Sequence, residues 1–356
     1  MPELTDPYLP QVYQRARENL TGMMERGVLV QDSQANFYLY AMTLNGRTQH
    51  GIVGCVHIED YEADRIKKHE KTRPDKEDDR TRHLLALSAH AEPVFLTYLK
   101  TPAISQCVAN LLTHDPSDDF VTSDGVRHRV WVINDPAPIT AAFGEIPVAY
   151  VADGHHRSAS AWRAGAERRR ANPNHHGDED YNWFVAVMFP SDELQILPYN
   201  RLVTDLGGRT VEQVLDGLRK VGPLTPTETP EPQSSHSCGV YLDGNWYHLE
   251  LPLPKDIPGD PTAQLDAHLL HTQVLDPVLG IGDPRTDPRL QFVGGIKGVS
   301  ELQRKVDAGE AAMAFALYPV TVEQLMSVAD HGKIMPPKTT WFEPKLLSGL
   351  FVHTFD

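Results

Sequence analysis

Ile146-Pro147-Val148-Ala149-Tyr150-Val151-Ala152-Asp153-Gly154-His155-His156-Arg157-Ser158-Ala159 decides the reading of this chain. An apolar run enters a short polar turn, and the helix-forming stretch Ser158 to Ala171 leaves it. The pattern predicts strand, tight turn, helix. Such a turn points backbone N–H groups outward from a helix start, where the dipole favours an anion. Gly154 lets a ligand approach the backbone closely. Arg157 adds a fork of donors suited to phosphate or carboxylate. The bland alternative is a helix cap, with Asp153 or Ser158 capping and the histidines at the surface. A cap does not require His-His-Arg directly after Asp-Gly, so the stretch reads as an anion-binding, catalytic loop.

Upstream, Leu9, Val12, Tyr13, Ala16, Leu20, Met23 and Met24 recur at spacings of three and four, an amphipathic helix stopped at Gly27. Residues 36–43 alternate, Asn45-Gly46 supplies hairpin chemistry, and 47–58 returns as a strand. A dense charged segment, 64–82, precedes an apolar helix over 84–91. A buried strand at 94–99, a helix at 104–112 and a second hairpin around Asp124-Gly125 follow. Past the loop, 171–180 is polar and turn-rich, a mobile surface loop. Residues 183–189 read as a central strand, 196–203 as extended chain and 211–221 as a helix. The Pro-, Thr-, Ser- and Glu-rich run 223–237 has the composition of a linker or long exposed loop. Beyond it come a hairpin at Asp243-Gly244, helices at 265–275, 299–306 and 322–329, a buried strand at 312–317 and a closing strand at 350–355. Alternating helices and strands with interspersed hairpins favour a mixed-sheet α/β or α+β fold. The expected division is a core over 1–222, a linker over 223–237 and a smaller C-terminal α/β region over 238–356.

The 356 residues suggest two domains, and the apolar and charged fractions are those of a soluble globular protein. A net charge of −15 argues against broad nucleic-acid or anionic-membrane binding, while leaving room for a small basic pocket. Cys55, Cys107 and Cys238 are widely spaced and form no C-x-x-C, so neither a zinc knuckle nor a disulfide scaffold is indicated. A reducing cytoplasm is the natural setting. The acidic start, Met1 to Asp6, lacks the apolar region of a signal peptide, and no apolar run approaches the roughly 20 residues of a membrane span. The expected partner is a small-molecule substrate; no oligomeric state is legible.

Two further clusters could serve chemistry. Arg65-Ile66-Lys67-Lys68-His69-Glu70-Lys71-Thr72-Arg73 continues to Arg80 and is either a solvated charged helix or a site. His69, Glu70 and Thr72 would place a base, an acid and a hydroxyl within one turn. Met335-Pro336-Pro337-Lys338-Thr339-Thr340, with Lys345 five residues on, is either an exposed edge or a phosphate clamp. Weaker features are His175-His176, which reads as solvated, His268 and His271 without an H-E-x-x-H frame, and Asn200-Arg201 at a strand end. No P-loop, Rossmann, kinase or nucleophile-elbow signature occurs.

Together, Asp153-Gly154-His155-His156-Arg157, Ile66-Lys67-Lys68-His69-Glu70-Lys71-Thr72 and Met335-Pro336-Pro337-Lys338-Thr339-Thr340-Trp341-Phe342-Glu343-Pro344-Lys345 resemble a prokaryotic domain-of-unknown-function family. That family is grouped with the ParB and sulfiredoxin-like superfamily. The resemblance runs from about residue 28 to the end, in the same motif order. Family members carry a further N-terminal stretch with a Pro-Tyr-Asp element, so ligand contacts from such a stretch are expected to be missing here. The wider superfamily includes CTP-hydrolysing partition proteins, ATP-using sulfiredoxins and a free-serine kinase with a similar loop.

The resemblance implies a ParB/sulfiredoxin-like nucleotide-binding core, with ATP or ADP and Mg²⁺ as cofactors, and phosphoryl transfer to a small hydroxyl metabolite such as free serine. Gly154, His155, Arg157, Ser158, Lys67, Thr72, Arg201, Lys338, Thr339, Thr340 and Lys345 would hold nucleotide and phosphate. Asp153 or Glu70 would hold Mg²⁺ or deprotonate the acceptor hydroxyl; Glu70 would be the base, with His69 or His156 as alternatives. Two rival expectations are a nucleotide-gated switch of ParB type and a metal-dependent hydrolase using His155, His156 and Asp153.

Overall fold

The computed structural model describes residues 6–254 and 259–355; the signal-peptide reading of the first five residues lies outside them. The chain packs as two compact units, residues 1–194 with 344–356, and residues 195–343. The fold is mixed α/β, as the alternation of patterns predicts. No described helix is long and apolar enough to cross a membrane.

The first unit contains β1 (Phe37–Leu44), β2 (Arg47–His57), β3 (Ile66–Lys67), β4 (Ala89–His90), β5 (Val94–Tyr98), β6 (Asp118–Val121), β7 (Arg127–Ile133), β8 (Ala149–Asp153) and β9 (Trp183–Pro190). Its helices are α1 (Pro10–Glu25), α2 (Ile58–Glu62), α3 (Pro74–Leu87), α4 (Pro102–Leu111), α5 (Ala137–Gly144) and α6 (His155–Ala171). Eight strands form one sheet in the order β3-β8-β5-β9-β2-β1-β7-β6. The pairs β3/β8 and β5/β9 are parallel; the others are antiparallel. Asn45 and Gly46, at φ 50° and 78°, turn β1 into β2, the left-handed pair such a hairpin requires.

The central strands are buried on both faces, and their apolar residues pack with α2 and α4–α6. Helix α6 buries a face of small residues, which allows close approach. A Cβ on Gly165 would lie 2.5 Å from the Tyr181 carbonyl oxygen. Polar ties fix α6 to α3: Ser160 Oγ donates to the Glu77 carbonyl, and Arg163 pairs with Glu77 and Asp78.

Two local expectations are corrected. The charged segment is not a helix from Arg65 onward: β3 pairs beside β8, residues 68–73 are irregular, and α3 begins only at Pro74. Pro74 at the first helical position sets that start. Helix α6 begins at His155, three residues before Ser158. The turn-rich run 171–180 lies at the surface, as expected, with Glu179 accepting from the His176 and Gly177 amides.

The second unit contains β10 (Ile196–Leu197), β11 (Tyr199–Val203), β12 (Leu224–Pro226), β13 (Ser237–Leu242), β14 (Asn245–Glu250), β15 (Leu290–Gly294), β16 (Met313–Leu317) and β17 (Trp341–Phe342). Its helices are α7 (Val211–Val221), α8 (Asp266–Leu270), α9 (Gly298–Asp307) and α10 (Val322–Asp330), with a π-helical turn at His271–Leu275. Six strands pair in the order β12-β14-β13-β16-β11-β15. Residues 223–237 lie within this unit, and β12, drawn from that run, hydrogen-bonds to β14. The chain then returns to the first unit, where β18 (His353–Thr354) pairs with β4; only two residues of the expected closing strand are in a ladder.

Candidate functional site

Strand β8 delivers Asp153 to the start of α6. Opposite it, β5 pairs Phe95 with Asp153 but Leu96 with Val151, an irregularity that inserts Ala152. Such a bulge redirects the strand end. Gly154 follows at φ 105°, a left-handed conformation that residues with a Cβ adopt only under strain. It is the N-cap of the 17-residue α6, and no side chain caps the helix. The capping alternative therefore fails for both residues. Asp153 ends the strand, and the buried Ser158 Oγ donates back to the Gly154 carbonyl at 3.1 Å. The first-turn N–H groups of α6 have no acceptor within the helix.

Two cations converge on Asp153. Lys345 Nζ donates to Oδ2 at 2.9 Å across 192 residues of sequence, and Arg157 Nη2 lies 3.8 Å from the same oxygen. The Arg157 guanidinium folds over Gly154, where a Cβ would meet its Nε at 3.0 Å, and donates from Nη1 to the Pro93 carbonyl at 2.6 Å. Burial pushes the Asp153 carboxyl up, but the charges of Lys345 and Arg157 offset this and hold it below the usual carboxylate range. Against Asp153 alone the two cations leave about one unit of positive charge beside the partial positive end of α6; Glu70, 3.9 Å from His155 Nδ1, is a second carboxylate in the cluster.

The paired imidazoles hold the neighbouring segment. His155 is buried, and its Nε2 accepts the His69 backbone N–H at 3.4 Å. His156 Nε2 accepts the Arg73 backbone N–H at 3.1 Å. Each Nε2 is thus an acceptor, which assigns the proton of each neutral ring to Nδ1. His155 Nδ1 lies 3.9 Å from Glu70 Oε2, and the Glu70 side chain is 38% exposed. Burial, then His69, His156 and Arg157, drive His155 well below the ordinary imidazole range. The His69 ring stands edge-on to His155 at 4.4 Å between centroids. Burial pushes His69 down to about 4, against the Asp153 charge and the nearby Val151 backbone, and among the described residues neither of its ring nitrogens makes a hydrogen bond. A neutral His69 enclosed in this way is poorly placed as a base; Glu70 is the more accessible group.

The first unit therefore brings Asp153, Gly154, His155, His156, Arg157, His69, Glu70 and Lys345 together. Lys67 lies beside Tyr150 in the β3/β8 pair, and the Thr72 hydroxyl donates to Glu77. Arg201, Lys338, Thr339 and Thr340 belong to the second unit. There the buried Arg201 donates to the carbonyls of Tyr199 (2.6 Å) and Pro337 (3.3 Å), and its guanidinium lies 4.6 Å from the Phe292 ring centroid. Burial pushes Arg201 down to about 9. The exposed Lys338 adopts φ 54°, with Nζ 5.8 Å from the Tyr199 ring centroid, and Thr339 Oγ1 donates to the Pro336 carbonyl. Thr340 is half-buried beside β17.

Among the described residues no three His, Cys, Asp or Glu side chains are grouped to hold a metal. His155 and His156 turn to different backbone amides, so the pair does not form a chelate. A magnesium ion arriving with phosphates requires only one or two protein carboxylates. Glu70, over a third exposed, leaves room for that limited role, whereas Asp153, similarly exposed, already pairs with Lys345 and Arg157. Sequence reading missed the Pro93 carbonyl and the Arg73 amide. Backbone groups carry no residue-type signal, and only the folded register reveals them.

The chain belongs to the DUF1015 family of proteins of unknown function, whose model matches residues 1–268. No curated protein matches the sequence. Among solved structures, the chain is similar to a conserved hypothetical protein from Pyrococcus furiosus, at 13% identity and TM-score 0.41 over 83% of this chain and 93% of that one. It is similar to a free serine kinase in complex with AMP, at 12% identity and TM-score 0.41 over 82% of this chain and 86% of that one. It is also similar to C-terminally truncated SbnI from Staphylococcus aureus, at 13% identity and TM-score 0.44 over 83% and 85%.

Proposed function

We propose that this DUF1015 member binds nucleotide phosphates at the start of α6 and transfers a phosphoryl group to a small hydroxyl metabolite. One observation carries the reading: Lys345 and Arg157 meet at Asp153 beside an uncapped 17-residue helix. That arrangement collects positive charge where a helix terminus already favours an anion. Phosphoryl transfer needs mainly positioning and charge stabilisation, which such a site supplies without a covalent nucleophile.

In this reading Arg157, Lys345 and the first-turn N–H groups hold the phosphates, with Asp153 fixing both cations. His155 and His156 fix the segment that carries Glu70. Glu70 accepts the proton of the acceptor hydroxyl as its oxygen bonds to the terminal phosphorus. The bond to the bridging oxygen breaks, and the nucleoside diphosphate leaves with that electron pair. Magnesium would neutralise phosphate charge there, with Asp153 or Glu70 as its protein ligand. ATP is the expected donor and free serine one candidate acceptor, both following from the motif resemblance.

The test is product analysis with ATP, Mg²⁺ and a panel of hydroxy metabolites. Glu70→Gln is expected to lower kcat by about 10²–10⁴-fold with KM for ATP little changed. Arg157→Ala is expected to abolish turnover in a folded protein. Full turnover in either variant contradicts the assignment.

A further inference from the structure

The second unit carries a groove of about 710 Å³ between α7, the π-helical turn and the chain at Pro252. That volume lies within the usual range for small-molecule sites. Gly217 on α7 sets its shape: a Cβ there would strike Val278 Cγ1 at 2.6 Å, so only glycine lets this wall close.

The lining is basic in an acidic protein. Arg209 and Lys220 face the groove, and its lining includes no Asp or Glu. The chain has 48 acidic and 33 basic residues, so a wall with two cations and no carboxylate departs from its average. Among the described residues neither cation has a carboxylate partner. Arg209 donates to the carbonyls of Leu206 and Leu279, whereas Arg219, next to Lys220, pairs with Glu212 and Asp216. The negative end of α7 gives Lys220 a structural reason. Arg209 precedes that helix, and its bonds to the Leu206 and Leu279 carbonyls hold it in the wall.

Gln273 adds an independent observation. Its Nε2 donates to the Pro252 carbonyl at 2.8 Å, which fixes the amide orientation, and its buried Oε1 has no donor among the described residues. Gln273 sits in a π-helical turn, a rare conformation that recurs at functional sites.

We propose that this groove binds a small amphipathic anion. A carboxylate or phosphate head pairs with Arg209 and Lys220, an apolar body lies on Val221 and Val278 between Pro252 and Pro277, and a small displacement of the Gln273 side chain brings its buried Oε1 to an N–H or O–H donor of the ligand. The proposal is independent of the reaction assigned to the first unit.

The probes are N-acetyl-L-leucine, its uncharged carboxamide and 4-methylpentanoate, which lacks the N–H, with binding to the full chain read by saturation-transfer NMR. Inorganic phosphate serves as competitor. Lys220→Gln is the primary variant because that side chain is exposed and makes no ion pair among the described residues; a thermal melt verifies its fold. The acid is expected to bind about tenfold more tightly than the carboxamide, and about tenfold more weakly to Lys220→Gln. Its affinity falls as salt rises from about 50 to 300 mM. Gln273→Leu is expected to weaken N-acetyl-L-leucine but not 4-methylpentanoate, and Arg157→Ala to leave both unchanged. Displacement by phosphate extends the head subsite to phosphates; no displacement restricts it to carboxylates. Equal binding of acid and carboxamide, indifference to Lys220→Gln, or no binding of the acid at about 10 mM overturns the proposal.

Discussion

Lys345→Met removes the cation 2.9 Å from Asp153 and leaves only Arg157, at 3.8 Å. The lysine side chain is 45% exposed and the aspartate 36%, so solvent screens the pair. At 2.9 Å the Coulomb energy in bulk water is about 1.4 kcal/mol. Measured exposed pairs give roughly 0.2–1 kcal/mol. The expected stability loss is therefore about 1 kcal/mol at neutral pH, a fall in Tm of roughly 2–4 °C for a unit of this size. The Asp153 carboxyl is held below its unfolded value. Its contribution is thus present above about pH 3.9 and is lost as pH falls through the folded value. In Lys345→Met this acid limb becomes shallower. The effect on turnover is larger than on stability, because a cation on developing phosphoryl charge contributes about 3–4 kcal/mol, or 10²–10³-fold in kcat. Urea melts at several pH values and a coupled phosphotransfer assay measure both. Turnover within twofold of wild type, beside the expected stability loss, would reduce Lys345 to a strut and refute the reasoning.

Three further outcomes follow from the packing. Burial pushes His69 down to about 4 and His90 to about 3, the latter helped by His353. Both bind fewer protons folded than unfolded, so stability is full above about pH 6.5 and falls as pH drops. His90 alone contributes a loss of about 2 kcal/mol between pH 7.5 and 5, so His90→Phe should flatten the dependence in urea melts; an unchanged slope contradicts this. Gly165→Ala should destabilise by about 1–3 kcal/mol in spite of its helix propensity, because the new Cβ meets the Tyr181 carbonyl and Ile58. Increased stability in that variant would show that α6 can shift. His156→Leu strips the acceptor from the Arg73 amide and should speed hydrogen exchange at that amide, with kcat falling more than stability. Unaltered exchange would remove His156 as the anchor of residues 69–73.

The strand–turn–helix at Asp153 is legible because an apolar run, a glycine and a helix-forming tract follow in order, and glycine takes the φ 105° that the turn needs. The hairpin at Asn45-Gly46 is legible for the same local reason. Composition is only partly right at 223–237, where residues 227–236 are irregular loop. Its prolines suggest a linker, yet Leu224 and Thr225 join a ladder, and backbone pairing leaves no mark on composition. Nor does the charged run disclose that Ile66-Lys67 lies parallel to β8, since that pairing is set by tertiary context. Within the site, residue types are visible and roles are not. His155 and His156 invite a chemical reading, whereas their Nε2 atoms hold backbone amides. Lys345 reads as a phosphate ligand, and the structure adds its bond to Asp153, a contact 192 residues apart that no local pattern encodes.

Calorimetric titration of ATP and ADP, with Mg²⁺, into the wild-type chain and into Arg157→Ala and Lys345→Met tests the anion seat most directly. The account predicts saturable binding to the wild type and at least about tenfold weaker binding in each variant, corresponding to about 1.4 kcal/mol. Equal affinity in all three proteins, or no heat of binding in the wild type, would contradict it.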